Sequence, residues 1–326
     1  VSTQTRPVFR PSSSTRAGGH TPNSGSGRRR TARRDLKYGL LFSSPWLIGF
    51  VAFIGLPIIA SAFYSFTSFN LFQAPEFVGL ANYTELLGDD RFYKAVFNTF
   101  FLALFGVPLG LALALMLALL LNLNVKGQPL YRAVIYLPTI IPTIVVVYVW
   151  RWLLNAQYGF INEAIAAFGL DRPLWLDDPM WTKPAILIIG FWTIGGTAVI
   201  YLAALKEVPA ELHEAAKMDG AGPLLRFRHI VWPAITPVTL FQVVVSLIAY
   251  LQMFTQPYLL AQEGRNDVGA GPDDSMLTYA MYVYQNAFVY LKMGYASALA
   301  WVLFLLILIL TFIILKSSKR WVHYGN

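Results

Sequence analysis

The 326-residue sequence contains no cysteine, which removes disulfide scaffolds, Cys-ligated zinc, iron–sulfur clusters and cysteine nucleophiles together. The redox compartment cannot be read from it. Charge is the next scarcity: Asp, Glu, Lys and Arg make up 13% of residues, about half the roughly 25% of an ordinary soluble domain. Histidine is sparse, with only His20, His213, His229 and His323. His213-Glu214 opens like a zinc-protease helix, but that motif needs a second histidine four residues after the first, and Lys217 stands there. No Gly-x-x-x-x-Gly-Lys-Ser/Thr phosphate loop occurs, so ATP binding by that route is excluded. The acidic pairs Asp177-Asp178 and Asp273-Asp274 read as solvated turns. No catalytic or metal-ligating set emerges.

Apolar residues are abundant at 56%. A charge at the bilayer centre costs several kcal/mol, so the charged clusters mark where the chain leaves the membrane. Between them lie six uncharged, largely apolar runs: Tyr38 to Pro75, Ala95 to Val125, Ala133 to Trp150, Pro184 to Leu205, Val231 to Gln262 and Met293 to Leu315. The shortest, Ala133 to Trp150, has 18 residues. It reaches about 27 Å as a helix, against a hydrocarbon core of roughly 30 Å. The fold class expected is an all-α membrane protein of six transmembrane helices.

With the N-terminus placed in the cytoplasm, 18 of the 25 basic residues fall on the inner side, so both termini are expected there. Without the tail, which holds nine of the eighteen, the comparison is only 9 to 7, so the cluster Arg28, Arg29, Arg30, Arg33 and Arg34 carries the topology. Residues 1–36 are expected to form a disordered basic tail, because they hold too little apolar surface to offset chain entropy. Beside a first span, such a tail sets topology and touches anionic lipid; nucleic acid is not expected. Ala60-Ser61-Ala62 resembles a signal-peptide cleavage site, but the apolar stretch from Leu40 to Phe66 is too long for one, and a retained span is expected. The membrane domain is then 37–318, followed by a short cytoplasmic tail at 319–326.

The longest inner loop, 206–232, reads as two short helices. Pro209 suits a helix first turn and good helix formers continue to Met218. Gly220 offers the left-handed conformation that ends a helix, and Pro223 starts another. Glu207, Glu211 and Glu214 form an acidic stripe at spacings of four and three, beside the small Ala215 and Ala216. Leu224, Leu225, Phe227 and Val231 give the second helix an apolar side. On these residues alone, the segment is either a docking element or an amphipathic hairpin resting on the membrane face.

The run Glu214-Ala215-Ala216-Lys217-Met218-Asp219-Gly220-Ala221, followed by Phe227, Ile230, Pro233 and Pro237, resembles the coupling motif of permeases in binding-protein-dependent ABC importers. More of the chain is similar to the sugar-type permeases, those like the maltose transporter's membrane subunits: Phe77-Val78-Gly79-Leu80-Ala81-Asn82-Tyr83, Asn98-Thr99, Tyr131-Arg132, Leu137-Pro138, Trp150, Gly159-Phe160-Ile161-Asn162, Ala287-Phe288 and Gly294-Tyr295-Ala296-Ser297-Ala298-Leu299. The resemblance covers roughly residues 40 to 318. One departure lies after the fifth span, where such permeases carry a Thr-Gly-Gly-Pro turn and Ala261 to Pro272 is longer, keeping only Gly271-Pro272.

The resemblance implies a multi-pass inner-membrane subunit, not an enzyme, which pairs as a heterodimer with a second permease and takes cargo from an extracytoplasmic solute-binding protein. It also implies an ABC ATPase dimer that holds ATP and Mg; this chain would bind no cofactor. The coupling residues would be Glu214, Ala215, Ala216, Asp219, Gly220, Ala221, Phe227, Ile230 and Pro233. Spans without formal charge favour a neutral carbohydrate; the alternatives are a phosphorylated polyol such as glycerol phosphate or, in another class, a secondary carrier. A carrier would place an ion-coupling group in the bundle, and none is visible. Candidate solute contacts are Gln242, Ser246 and Tyr250, which share one helical face, with Gln252, Asn98 and Trp192. The same polar stripe also suits hydrogen bonding between helices. Trp150, Trp152, Trp192 and Trp301 offer either stacking on a sugar ring or interfacial anchoring. Gly106 and Gly110 are expected to mark close helix packing.

Overall fold

The computed structural model describes residues 25–123, 126–262 and 269–323, with side chains from residue 37 onward. The chain divides into two units, 1–59 and 60–326. In the first unit, helix α1 (Gly25–Phe50) runs into a single π turn, Val51–Gly55, after which α2 (Leu56–Tyr64) begins. The turn has a local cause. Leu56 N–H reaches back five residues to the Val51 carbonyl, just before Pro57, which has no N–H to give. Helix α1 starts at Gly25, inside the stretch 1–36 that was expected to form a tail. Arginine, alanine and leucine are good helix formers, and the apolar helix that follows lets them propagate it without a new nucleus. Residues 1–24 lie outside the described residues.

The second unit opens with a two-residue antiparallel ladder of β1 (Thr67–Ser68) and β2 (Glu76–Phe77). A short α3 (Ala81–Leu87) leads to the long α4 (Asp90–Leu121). Next come α5 (Gln128–Ile140), α6 (Thr143–Leu153), α7 (Phe160–Ala167), α8 (Pro179–Trp192), α9 (Gly195–Lys206) and α10 (Ala210–Met218). The chain ends with α11 (Pro223–Arg226), α12 (Trp232–Leu251), α13 (Thr255–Ala261), α14 (Tyr279–Tyr284) and α15 (Met293–Ser318).

Four stretches are long and apolar enough to cross a membrane: Lys37–Tyr64, Asp90–Leu121, Pro223–Ala261 and Met293–Ser318. The third and fourth runs of the sequence are bent helix pairs and not single straight helices. The pair α5 and α6 bends by 99°, and α8 and α9 by 49°. At the first break Ile141 is extended ahead of Pro142, as the proline ring requires of its predecessor. At the second, the Thr193 hydroxyl donates back to the Gly190 carbonyl (2.9 Å), and Gly195 then lies so near α5 that a Cβ would sit 2.1 Å from the Ile135 carbonyl oxygen. Only glycine fits there. The spans number six if each bent pair is one.

Helix α4 is the central post. Its C-terminal half packs on α9 and α12 around Ala114, Ala118, Ala198, Tyr201 and Ile235. A second cluster joins it to α6, α8 and α13 through Leu102, Val147, Ile186, Ile189 and Leu260. A third, near its N-terminus, gathers Phe92, Ala95, Leu277, Tyr279, Met281 and Leu299. Several fully buried core positions are alanines, which lets helices approach closely where lipid offers no hydrophobic drive.

Candidate functional site: a capped bend and a cavity at the helix breaks

Helix α10 ends on a paired cap. Ala221 N–H donates to the Ala216 carbonyl (2.8 Å) and Gly220 N–H to the Lys217 carbonyl (3.0 Å), which is the Schellman pattern. Gly220 has φ +76°, a conformation that costs an L-residue about 1–2 kcal/mol. Pro223 then opens α11, but this helix is not the separate short element expected. It continues through a π turn, Phe227–Val231, into α12. Nothing between Arg226 and Trp232 breaks a helix, and the Trp232 N–H bond to the Phe227 carbonyl absorbs Pro233 as Leu56 does Pro57.

The motif residues fall into two groups. Glu214, Ala215, Asp219 and Gly220 are exposed; Ala216, Ala221, Phe227, Ile230 and Pro233 are partly buried. Phe227 packs on the core of α4, α9 and α12 and lies 6.4 Å from the Trp232 ring. No residue of α10 is buried, and Met218 and Leu224 stand 89% and 81% exposed. The bend therefore offers an apolar tip beside an acidic stripe, held on a rigid stem.

The α8–α9 break opens a cavity of about 240 Å³ lined by Gly106, Gly110, Gly190, Thr193, Thr197, Ser246, Tyr250 and Gln256 among others. Its hydrogen-bonding side chains carry no formal charge. Tyr250 shapes it: a Cβ on Gly106 would lie 2.3–2.6 Å from the tyrosine ring and hydroxyl, and one on Gly190 would lie 3.3 Å from that hydroxyl. Gly106 thus receives an aromatic side chain rather than another helix backbone, and Gly110 meets Phe191 at 3.7 Å. Gln256 is fixed by donating its amide to the Ile186 carbonyl (2.9 Å).

Of the six solute contacts expected, Ser246 and Tyr250 line this cavity. Gln242 is buried, with its amide nitrogen unbonded, and does not line it. Gln252 faces a different, apolar cavity formed with α14 and α15. Trp192 meets Trp150 edge-on at 6.0 Å and is absent from the lining. Asn98 is not in this cavity's lining. It is buried, and its amide donates to the carbonyls of Asp274 (2.9 Å) and Leu277 (3.0 Å), so it ties a loop to α4. The adjacent Thr99 accepts from Tyr279 N–H (2.8 Å).

That loop is part of a polar tie at the end of the bundle away from α10, and the sequence reading missed it. Asp89 caps α4 by accepting from the N–H groups of Arg91 (3.0 Å) and Phe92 (3.3 Å), and also takes the hydroxyls of Tyr282 and Tyr295. Burial works against the Asp89 carboxylate, but these four donors outweigh it and hold its pKa below the usual range. Burial and the bond to Asp89 push Tyr282 up to about 12. Arg91 grips Asp274 with two bonds (2.9 and 3.0 Å), so Asp274 is not the solvated turn expected. Among the described residues no group of three or more His, Asp or Glu side chains is placed to hold a metal.

A bundle of apolar helices, two of them broken around a polar cavity, is the architecture of a membrane permease. The chain belongs to the binding-protein-dependent transport system inner membrane components, whose family model matches residues 106–323. It is 39% identical over 301 residues to the probable ABC transporter permease YesP of Bacillus subtilis, covering 91% of this chain and 95% of that one. It is 33% identical over 288 residues to the sulfoquinovosyl glycerol transport system permease SmoG of Agrobacterium fabrum, covering 87% and 91%. A bacterial ABC transporter involved in import of the acidic polysaccharide alginate contains a chain of the same fold, with TM-score 0.77, 23% identity and coverage of 90% and 99%. Permease subunits of this family are not themselves enzymes.

Proposed function

We propose that this chain is the permease subunit of an ABC importer for a carbohydrate, seated in the cytoplasmic membrane with the α10 end inside. It would pair with a second permease, receive cargo from a solute-binding protein and be driven by a separate ATPase dimer holding ATP and Mg. The observation that carries the reading is the capped bend at Gly220, projecting with no buried residue in α10. Such an element transmits force only if something outside the chain grips it. A tip with Met218 and Leu224 exposed beside Glu211 and Glu214 fits an apolar cleft rimmed by basic groups.

Closure of the ATPase pair would pull both bends, and α11, continuous with α12, would carry the displacement to the cavity wall at Ser246 and Tyr250. The uncharged lining of hydroxyls and amides suits a polyhydroxyl cargo, and a relative named for sulfoquinovosyl glycerol transport supports a sugar-containing one. The family match argues against a self-sufficient carrier, and the cavity offers a phosphorylated polyol no basic partner. Proteoliposomes decide it. With both permeases, the ATPase and loaded binding protein, uptake should require ATP; uptake by this chain alone without nucleotide would refute the proposal.

A further inference from the structure

Lys94 on α4 and Lys183 on α8 lie at the end of the bundle away from α10. Each is the last charge before an apolar run, since Ala95 follows the first and Pro184 the second. Both ammonium groups therefore sit at one level, where headgroups give way to hydrocarbon. Helices α4 and α8 pack together through Leu102, Ile186 and Ile189, and the charge of Lys94 acts on Lys183. Among the described residues neither lysine has an ion-pair partner; the pairs that form are Arg91 with Asp274, Arg172 with Glu163 and Lys292 with Glu85. Asp90, one turn before Lys94, is exposed and belongs to none of them.

Below the lysines runs a ladder of aromatic rings. Phe97, Phe101 and Phe105 recur every four residues and so share one face of α4, with successive ring centroids 6.4 and 4.7 Å apart. The Lys183 ammonium lies 6.0 Å from the Phe97 ring and 5.9 Å from the Phe101 ring, at the limit of a cation–π contact. It is partly buried against the ladder instead of stretching away into water, as a lysine near a span end commonly does. Phe97 and Phe105 are exposed, as is Leu104 beside them. The seam thus presents two uncompensated cations at headgroup level and an open apolar track leading down from them.

We infer that this seam binds one anionic phospholipid, in the leaflet opposite α10, with its phosphate between Lys94 and Lys183 and an acyl chain along Phe97, Phe101 and Phe105. Charge complementarity selects the headgroup. A zwitterionic lipid such as phosphatidylethanolamine would bring an ammonium of its own to a place already holding two, whereas phosphatidylglycerol brings the phosphate alone. The bound phosphate cancels the repulsion between the two helices and so holds the outer half of α8 against the central post.

The complete importer, with both permeases, the ATPase and the binding protein, is tested in nanodiscs of phosphatidylethanolamine with and without phosphatidylglycerol. Native mass spectrometry counts the lipid retained, and thermal unfolding is followed in both membranes. Wild type should retain phosphatidylglycerol in preference and unfold at a higher temperature where it is present. Lys94→Gln together with Lys183→Gln should weaken that retention about 25-fold, at roughly fivefold per lysine near a membrane surface, and abolish the lipid-dependent rise; Lys94→Arg with Lys183→Arg should restore both. Equal retention by wild type and the glutamine pair, or the same rise in both, would overturn the site. A photoreactive benzoylphenylalanine at Phe97 reads the occupant with the lysines intact. Its adduct should be phosphatidylglycerol, and an adduct with the second permease in its place would overturn the lipid as occupant.

Discussion

Replacing Gly106 with alanine should damage the protein through a single side chain, Tyr250. The added methyl would lie 2.3 Å from Cζ, 2.4 Å from Cε1 and 2.6 Å from Oη, far inside contact distance, so the ring must leave its seat. Overpacking of this kind costs about 1–3 kcal/mol. Tyr250 packs against two of the three core clusters at once, which favours the upper half of that range. Tyr250 lines the cavity, so uptake should fall together with stability. Tryptophan-detected thermal unfolding in detergent gives the stability, and proteoliposome uptake gives the function. Tyr250→Ala alone opens a void, but in the double variant the alanine methyl no longer meets a ring. The two changes should therefore compensate by about 0.5–3 kcal/mol relative to their sum. Strict additivity would refute the contact and the shape assigned to the cavity.

Two further outcomes follow from the polar tie and from the β1 contact. Asp89→Asn should lower the unfolding temperature at neutral pH. Because the folded pKa of Asp89 lies below its unfolded value of about 3.9, the stability it contributes is present above that value and is lost as pH falls through the folded one. The gap between wild type and Asp89→Asn should accordingly close on acidification; a gap that stayed constant would contradict the linkage. Gly294→Ala should prevent stable folding, since its Cβ would stand 2.0 Å from the Thr67 carbonyl oxygen, a backbone atom that cannot rotate away. Recovery of the variant in wild-type yield, with an unchanged melting curve, would show that β1 does not sit against α15 there.

The bend at residues 210–222 was legible because its signals are local. A run of helix formers, a glycine and a proline dictate a capped stop and a restart within a few residues, and Gly220 adopts the conformation expected of it. The continuity of α11 with α12 was not legible, because helix restarts and helix extensions share the same proline signature. The apolar runs were found from the spacing of charge, which says where a chain leaves the membrane but nothing of breaks within it. Pro138 and Pro142 did mark the 99° bend, and the Gly195-Gly196 pair marked the other, but both are signals of shape rather than of charge.

The solute contacts fared unevenly for a related reason. Helical spacing put Ser246 and Tyr250 on one face, and that face does line the cavity. Asn98 was indistinguishable by residue type from a solute ligand, and only its two carbonyl partners, from a segment more than 170 residues away, reveal a structural clamp. Gln256, at the outer end of the same polar stripe, also lines the cavity, whereas Thr193 was passed over because it gains its place from a chain partner remote in sequence.

The central claim is that the capped bend must seat in a nucleotide-hydrolysing neighbour for cargo to move. It is tested most directly by ATP hydrolysis in the purified four-component complex carrying Gly220→Val. Nothing lies within 4 Å of a Cβ at that position, so the substitution acts only on the backbone angle that aims α10. The account predicts an assembled complex in which loaded binding protein no longer stimulates hydrolysis. Stimulation at the wild-type level would contradict it.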